Sequence, residues 1–181
     1  WVVGDYIKLN TGVASNGLST PTLVDLDGNN TVDRVYAGDL LGNMWAFDLT
    51  DADDSKWAIA HAASAPLFAA GATKAITMKP LIVKPDSSWI NDTAGNTPNL
   101  MVYFGTGQYI TVADVTNTDP QSFYGIWDAG ATVTSADIVE QTFDNSAPAN
   151  ARRLNEEKTV TYDAETPADG KIGVARRRIS G

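Results

Sequence analysis

Asp25-Leu26-Asp27-Gly28-Asn29-Asn30-Thr31-Val32-Asp33 is the stretch from which this sequence is best read. Oxygen-bearing side chains stand at its first, third and fifth positions (Asp25, Asp27, Asn29), and a carboxylate closes it at Asp33. Calcium, a hard cation, takes about six to eight oxygen ligands, and alternate residues of a curled loop deliver them from one side. The seventh position of such a loop ligates through its backbone carbonyl, so Thr31 joins the set whatever its side chain. Gly28 and Asn30 fall between ligands, where a sharp turn demands positive φ, and Gly and Asn tolerate it best. A plain Asx-rich turn needs no such spacing, and the repulsion between its acids would be a cost without return. The expected metal centre is one Ca²⁺ held by Asp25, Asp27, Asn29, Thr31 and Asp33.

The loop is not an EF-hand. That motif carries glycine at its sixth position and a bidentate glutamate at its twelfth, where this chain has Asn30 and Tyr36. Its flanks are also wrong for helices. Thr20-Pro21-Thr22-Leu23-Val24 and Arg34-Val35-Tyr36-Ala37 are β-branched or aromatic and read as strands.

Outward from the loop the strands continue. Tyr6 to Leu9 is read as a short strand before it. Asn43-Met44-Trp45-Ala46-Phe47-Asp48 alternates in period two after the turn at Gly38–Gly42, and Lys56 to Ala60 supplies a fourth strand. Beyond an Ala-rich linker, Ala62 to Ala72, the pattern restarts. Lys79-Pro80-Leu81-Ile82-Val83 answers Thr20 to Val24, and Leu100 to Gly105 answers Arg34 to Gly38. Ser122 to Asp128 answers Asn43 to Asp48, and Ala136 to Phe143 supplies the fourth strand. The second copy replaces the acidic loop with a longer one, Lys84 to Pro98. Two diverged four-stranded antiparallel units in tandem are the sequence mark of propeller blades. The expected fold is all-β, a partial β-propeller. Residues 1–143 form two blades with the calcium loop at 25–33, and 144–181 form an incomplete further blade or irregular tail. Within that remainder Lys158 to Tyr162 is a strand candidate, and Arg176-Arg177-Arg178 reads as a solvated tail.

Composition narrows the function. The 181 residues carry 22 Asp and Glu against 13 Lys and Arg, a net charge of −9. Nucleic acid and anionic membrane surfaces both ask for the opposite sign. No apolar run reaches the length of a membrane span, so no integral membrane segment is expected. The absence of cysteine removes disulfides, thiolate zinc sites, iron–sulfur clusters and thiol nucleophiles. A start at Trp1, in what reads as mid-strand, suggests a fragment or processed piece. Hydrophobic content of 43% with five tryptophans is enough for a packed core.

The run from Ser19 to Leu49, then Val102-Tyr103-Phe104-Gly105-Thr106-Gly107-Gln108-Tyr109, then Gln121 to Asp128, resembles the C-terminal propeller of the PilY1 family. These are type IV pilus biogenesis and tip proteins of Gram-negative bacteria. The resemblance covers Gly12 to about Phe143. It implies a modified seven-bladed propeller of which this chain is a part, export to the cell surface, and one calcium in the acidic loop. It also implies work with minor pilins at the pilus tip, calcium-dependent control of extension and retraction, twitching motility, and adhesion to host or abiotic surfaces. The loop matches the family pattern at Asp25, Asp27, Asn29, Thr31 and Asp33. The chain departs from it after Gly170, where the family would place another tryptophan-containing strand.

Other readings are weaker. Ala46 to Thr50 followed by Trp57 loosely resembles the docking repeat of quinoprotein dehydrogenases, but Trp45, Trp57 and Trp127 are explained by core and inter-blade packing. Nothing in the chain supplies a convincing acid–base pair, so no enzyme is expected. His61, the sole histidine, has no nucleophile signature beside it and reads as exposed or structural. Gly105-Thr106-Gly107 leads into no helix and is no dinucleotide fingerprint. The sequons at Asn29 and Asn91 are read as coincidental. Asp39, and after it Asp5, are candidate acceptors for waters on the ion. A purely structural propeller is the remaining alternative.

Overall fold

In the computed structural model, described at residues 4, 6–85, 97–141 and 176–180, the chain forms two β-sheets packed across a shared apolar core. The first holds β1 (Thr22–Val24), β2 (Arg34–Gly38) and β3 (Asn43–Asp48), all antiparallel. The far edge of β3 is divided between β4 (Ala58–Ile59) and β5 (Phe68–Ala69). The second sheet runs β6 (Leu81–Val83), β7 (Leu100–Gly105), β8 (Ser122–Asp128), then β10 (Arg176–Ser180), with β9 (Ile138–Gln141) outermost. The all-β, bladed architecture is the one the repeat predicts.

Period-two alternation sets which side chains meet. From β2 and β3, Tyr36, Met44 and Ala46 face the second sheet; from β7 and β8, Leu100, Val102, Phe104, Tyr124 and Ile126 face back. Phe68 fills the space between, its ring centroid 4.9 Å from Tyr124 and 6.3 Å from Phe104. Burying such a ring is worth about 1.5–3 kcal/mol, and each tilted aromatic pair adds roughly 0.5–1.5 kcal/mol. On the other face of β7 and β8, Met101 packs against Trp127, whose indole donates to Asn99 at 2.7 Å.

Several expectations are corrected. Tyr6 to Leu9 forms no strand and pairs with none among the described residues, and Tyr6 and Ile7 stand about half exposed. The fourth strand shrinks to Ala58–Ile59, since a 3₁₀ turn at Asp54–Lys56, capped by Asp53, takes its beginning. Trp57 is therefore no core residue: it is half-buried, with its indole donating to the Asp51 carbonyl. Trp45 and Trp127 are buried as expected. The Ala-rich linker supplies β5, anchored by the fully buried Leu67 and by Phe68. Ile76 to Val83 is strand only from Leu81, because Pro80 has no N–H to give a ladder; Ile76 makes one parallel bridge to Gly107. Arg176–Ser180 is a strand rather than a tail. It pairs antiparallel with β8 and parallel with β9, so β9 is displaced one strand outward. The candidates at Asp5, Lys158–Tyr162 and the Asn91 sequon lie outside the described residues, as do residues 86–96 of the second loop.

The crossing from the first sheet to the second is tight. A Cβ on Gly38 would lie 2.2 Å from Ile76 Cγ2, and one on Gly42, where φ is +79°, would lie 2.2 Å from the Gly71 carbonyl oxygen. The link from β7 to β8 is longer than the one from β2 to β3 and includes a 3₁₀ turn at Val112–Thr116. Asp114 pins it by accepting from the Ile110 amide at 2.8 Å, the Thr111 amide at 2.6 Å and Gln108 Nε2 at 2.8 Å. Those donors, led by the Thr111 amide, hold its carboxyl at about 2.

Candidate metal centre

The acidic loop connects β1 to β2, the two strands its flanks predict. Register pairs Val24 with Arg34, so the nine residues between close over the end of a two-stranded ladder. Two backbone bonds fix the exit: the Asp33 amide donates to the Val24 carbonyl at 2.9 Å, and the Leu49 amide donates to the Asp33 carbonyl at 2.8 Å. Gly28 and Asn30 have φ of +81° and +69°, the left-handed conformation the sequence calls for.

Asp25 is the pivot. Its carboxylate accepts from the Gly28 amide at 2.7 Å and the Asn30 amide at 2.8 Å, curling the loop around it. The Asn30 amide above all holds its carboxyl below the ordinary carboxylate range. Asp27 accepts from the Asn29 amide and side chain at 3.0 and 2.9 Å. Asp33 accepts from the Leu26 amide at 2.6 Å, and only 6% of its surface is exposed.

Carboxylate oxygens of Asp25, Asp27 and Asp33 lie within 4.8 Å of one another. Oxygens on one Ca²⁺ sit about 2.3–2.6 Å from it and so cannot be separated by more than about 5 Å. The three acids thus fit a single hard cation in both donor type and spacing. Asn29 is differently disposed. Its carbonyl oxygen accepts from both the amide and the hydroxyl of Thr31, which occupy its two lone pairs. To ligate through that oxygen, Asn29 would release the Thr31 hydroxyl. The Thr31 side chain is spent on Asn29, leaving its backbone carbonyl as the predicted donor. Beside Asp25 a cavity of about 270 Å³ opens between β1 and β6, lined by Leu23, Leu26, Ile82 and Lys84 among others.

Asp39 is not at this site. Five residues of β2, at about 3.3 Å each, carry it some 17 Å along the strand. It is fully buried, and its two oxygens accept from Asn16 Nδ2, the Leu41 and Asn43 amides, Asn43 Nδ2 and Trp45 Nε1. That carboxylate ties down the β2–β3 turn and leaves nothing for a hydrated ion.

One arrangement went unread in the sequence. Next to the loop's last acid, Arg34 turns inward, and around it gather Asp48 from β3, Tyr36 from β2, His61 from beyond β4 and Asp128 from β8. The Tyr36 hydroxyl donates to Asp128 Oδ2 at 2.7 Å, and the Gly130 amide donates to Asp128 Oδ1 at 3.0 Å. Arg34 Nη1 lies 3.4 Å from Asp48 Oδ2, and His61 Nε2 lies 3.9 Å from Asp128 Oδ1. His61 is buried, the structural of its two expected fates. The only sequence signal was an aspartate ending the apolar run Phe123 to Trp127.

The comparisons with known proteins bear on the whole. Residues 6–163 match the family model described as the PilY1 β-propeller domain. This chain belongs to the PilY1 family. A type IV pilus biogenesis factor PilY1 homolog of Xylella fastidiosa is 32% identical over 143 residues, covering 74% of this chain. The type IV pilus biogenesis factor PilY1 of Pseudomonas aeruginosa is 31% identical over 183 residues, covering 88% of the chain. The chain spans only 9% and 15% of the length of these two relatives. The crystal structure of the Pseudomonas aeruginosa PilY1 C-terminal domain matches with a TM-score of 0.67 at 29% identity. That match covers 94% of this chain and 40% of that one. The PilY1 propeller is thus represented here by part of its ring. Among the described residues, no helix is long and apolar enough to cross a membrane.

Proposed function

We propose that this PilY1 segment is a calcium-binding part of a type IV pilus assembly and tip protein, acting by binding rather than catalysis at the bacterial surface. The observation that carries the reading is the convergence of Asp25, Asp27 and Asp33 within 4.8 Å in a loop turned by Gly28 and Asn30. Without a cation, like charges at such separations repel by about 1 kcal/mol per pair even in water. When bound, calcium supplies the counter-charge; the chain's own residues curl the loop through Asp25 and anchor its end through Asp33. Stiffening of the β1–β2 end then gives minor pilins two states to read, which is how a local ion controls pilus extension and retraction, and with them twitching motility and adhesion.

Calorimetric titration with Ca²⁺ tests this, using the segment and its Asp33→Ala variant. Saturable one-site binding by the parent, weakened at least tenfold in the variant, is expected. Equal affinity in both would take Asp33 out of the ligand set, and no heat from either would end the calcium reading. In a piliated strain carrying the whole protein, the same substitution should alter retraction without abolishing secretion.

A further inference from the structure

We propose that the buried polar seam between the two sheets is an acid-sensitive latch, which opens when His61 takes up a proton. His61 is 4% exposed, and among the described residues neither ring nitrogen meets a partner in full hydrogen-bond geometry, the Gly130 backbone being the nearest approach to one. Asp128 Oδ1 is 3.9 Å from His61 Nε2, too far for a hydrogen bond. That carboxylate is already committed to the Tyr36 hydroxyl and the Gly130 amide. The buried Arg34 guanidinium of β2 adds a like charge within electrostatic reach of the ring, and its Nε and Nη1 make no hydrogen bond among the described residues. Arg34 is balanced in turn by Asp48 of β3. An imidazolium here would lose its water and feel a cation, with Asp128 at 3.9 Å as a counter-charge that offsets only part of that cost.

The consequence follows from linkage. Burial pushes the His61 ring below its usual value; Asp128 and the Gly130 backbone oppose this and Arg34 reinforces it. With the seam parted and the ring hydrated, His61 returns to about 6.5. The open form therefore binds the proton better. The closed seam keeps its full advantage above about pH 6.5 and loses it as pH falls from there toward the lower closed-state value. One proton can move that balance by at most about tenfold per pH unit. Parting breaks the Tyr36–Asp128 hydrogen bond across the sheets, a cost that hydration of the His61 and Arg34 nitrogens offsets in part.

Because His61 is the only histidine, its Cε1–H resonance is unambiguous in a proton NMR titration of the segment. A midpoint clearly below 6.5 is expected; one at or above 6.5 overturns the proposal. Hydrogen exchange of residues 58–69 and 122–128, corrected for intrinsic rates, should rise between pH 6.5 and 5 in the parent but stay flat in His61→Gln. The same rise in both would overturn it as well. Should His61→Gln fail to fold, the parent's NMR midpoint and its own exchange profile decide the matter together, a flat profile counting against.

Discussion

The Tyr36 hydroxyl, on the second strand of the first sheet, donates to Asp128 at the end of β8, 2.7 Å away and 92 positions later in the chain. Both residues are buried. Burial and the carboxylate push the phenol far above its usual range, so it stays a donor at every accessible pH. Tyr36→Phe removes the donor and leaves a buried charge short of a partner, which should cost about 1–3 kcal/mol. Urea denaturation with an unchanged slope is the check; a loss under about 0.5 kcal/mol would mean water replaces the hydroxyl.

Asp39 gathers five donors on one buried carboxylate at the β2–β3 turn. Asp39→Asn turns an amide group against N–H donors, so stability should fall by about 3 kcal/mol or more. Calcium affinity at saturating folded fraction should not change. A weakened ion with intact stability would restore Asp39 to the metal site.

Two glycines with left-handed backbone should respond unequally. Gly28, at φ +81°, has open space where a Cβ would go, so Gly28→Ala should cost only the conformational penalty of about 1–2 kcal/mol. Gly42→Ala adds a clash at 2.2 Å with the Gly71 carbonyl and should lose more than about 4 kcal/mol. Thermal melts of both rank them; similar midpoints would show that the crossing segment yields.

Asp114 should titrate near 2 by carboxyl carbon NMR. Its folded value lies below the unfolded one of 3.8. The order it gives the β7–β8 connection is therefore complete above about pH 4 and lost as pH falls through 2. A midpoint at 3.8 would mean the three donors do not hold in solution.

Much of this was legible in the residues. β3 shows its period-two pattern and β2, β7 and β8 their β-branched and aromatic runs, buried on both faces in β7 and β8, and the acidic loop announces its own turn through Gly28 and Asn30. What was hidden depends on distant chain. β5 is two residues long, and only Leu67-Phe68 among small residues betrays it. β10 enters beside β8 from residues far along the sequence, a pairing no local pattern encodes. Asp39 looks like a loop acid until β2 carries it to the opposite end of the sheet, and Trp57 looks like core until a 3₁₀ turn diverts it. Of the candidate site, the three carboxylates were readable from spacing, whereas the engagement of Asn29 by Thr31 belongs to the fine geometry of the loop.

The divided border of β3 has a consequence for life in a crowded medium. Long, straight outer strands invite other chains to add on and start aggregates. Here β4 and β5 contribute two residues apiece, and between them Ala63 and Ser64 throw the backbone into positive φ. No incoming chain can lay down more than a couple of bonds along such a margin, so the first blade guards its flank by interruption rather than by charge.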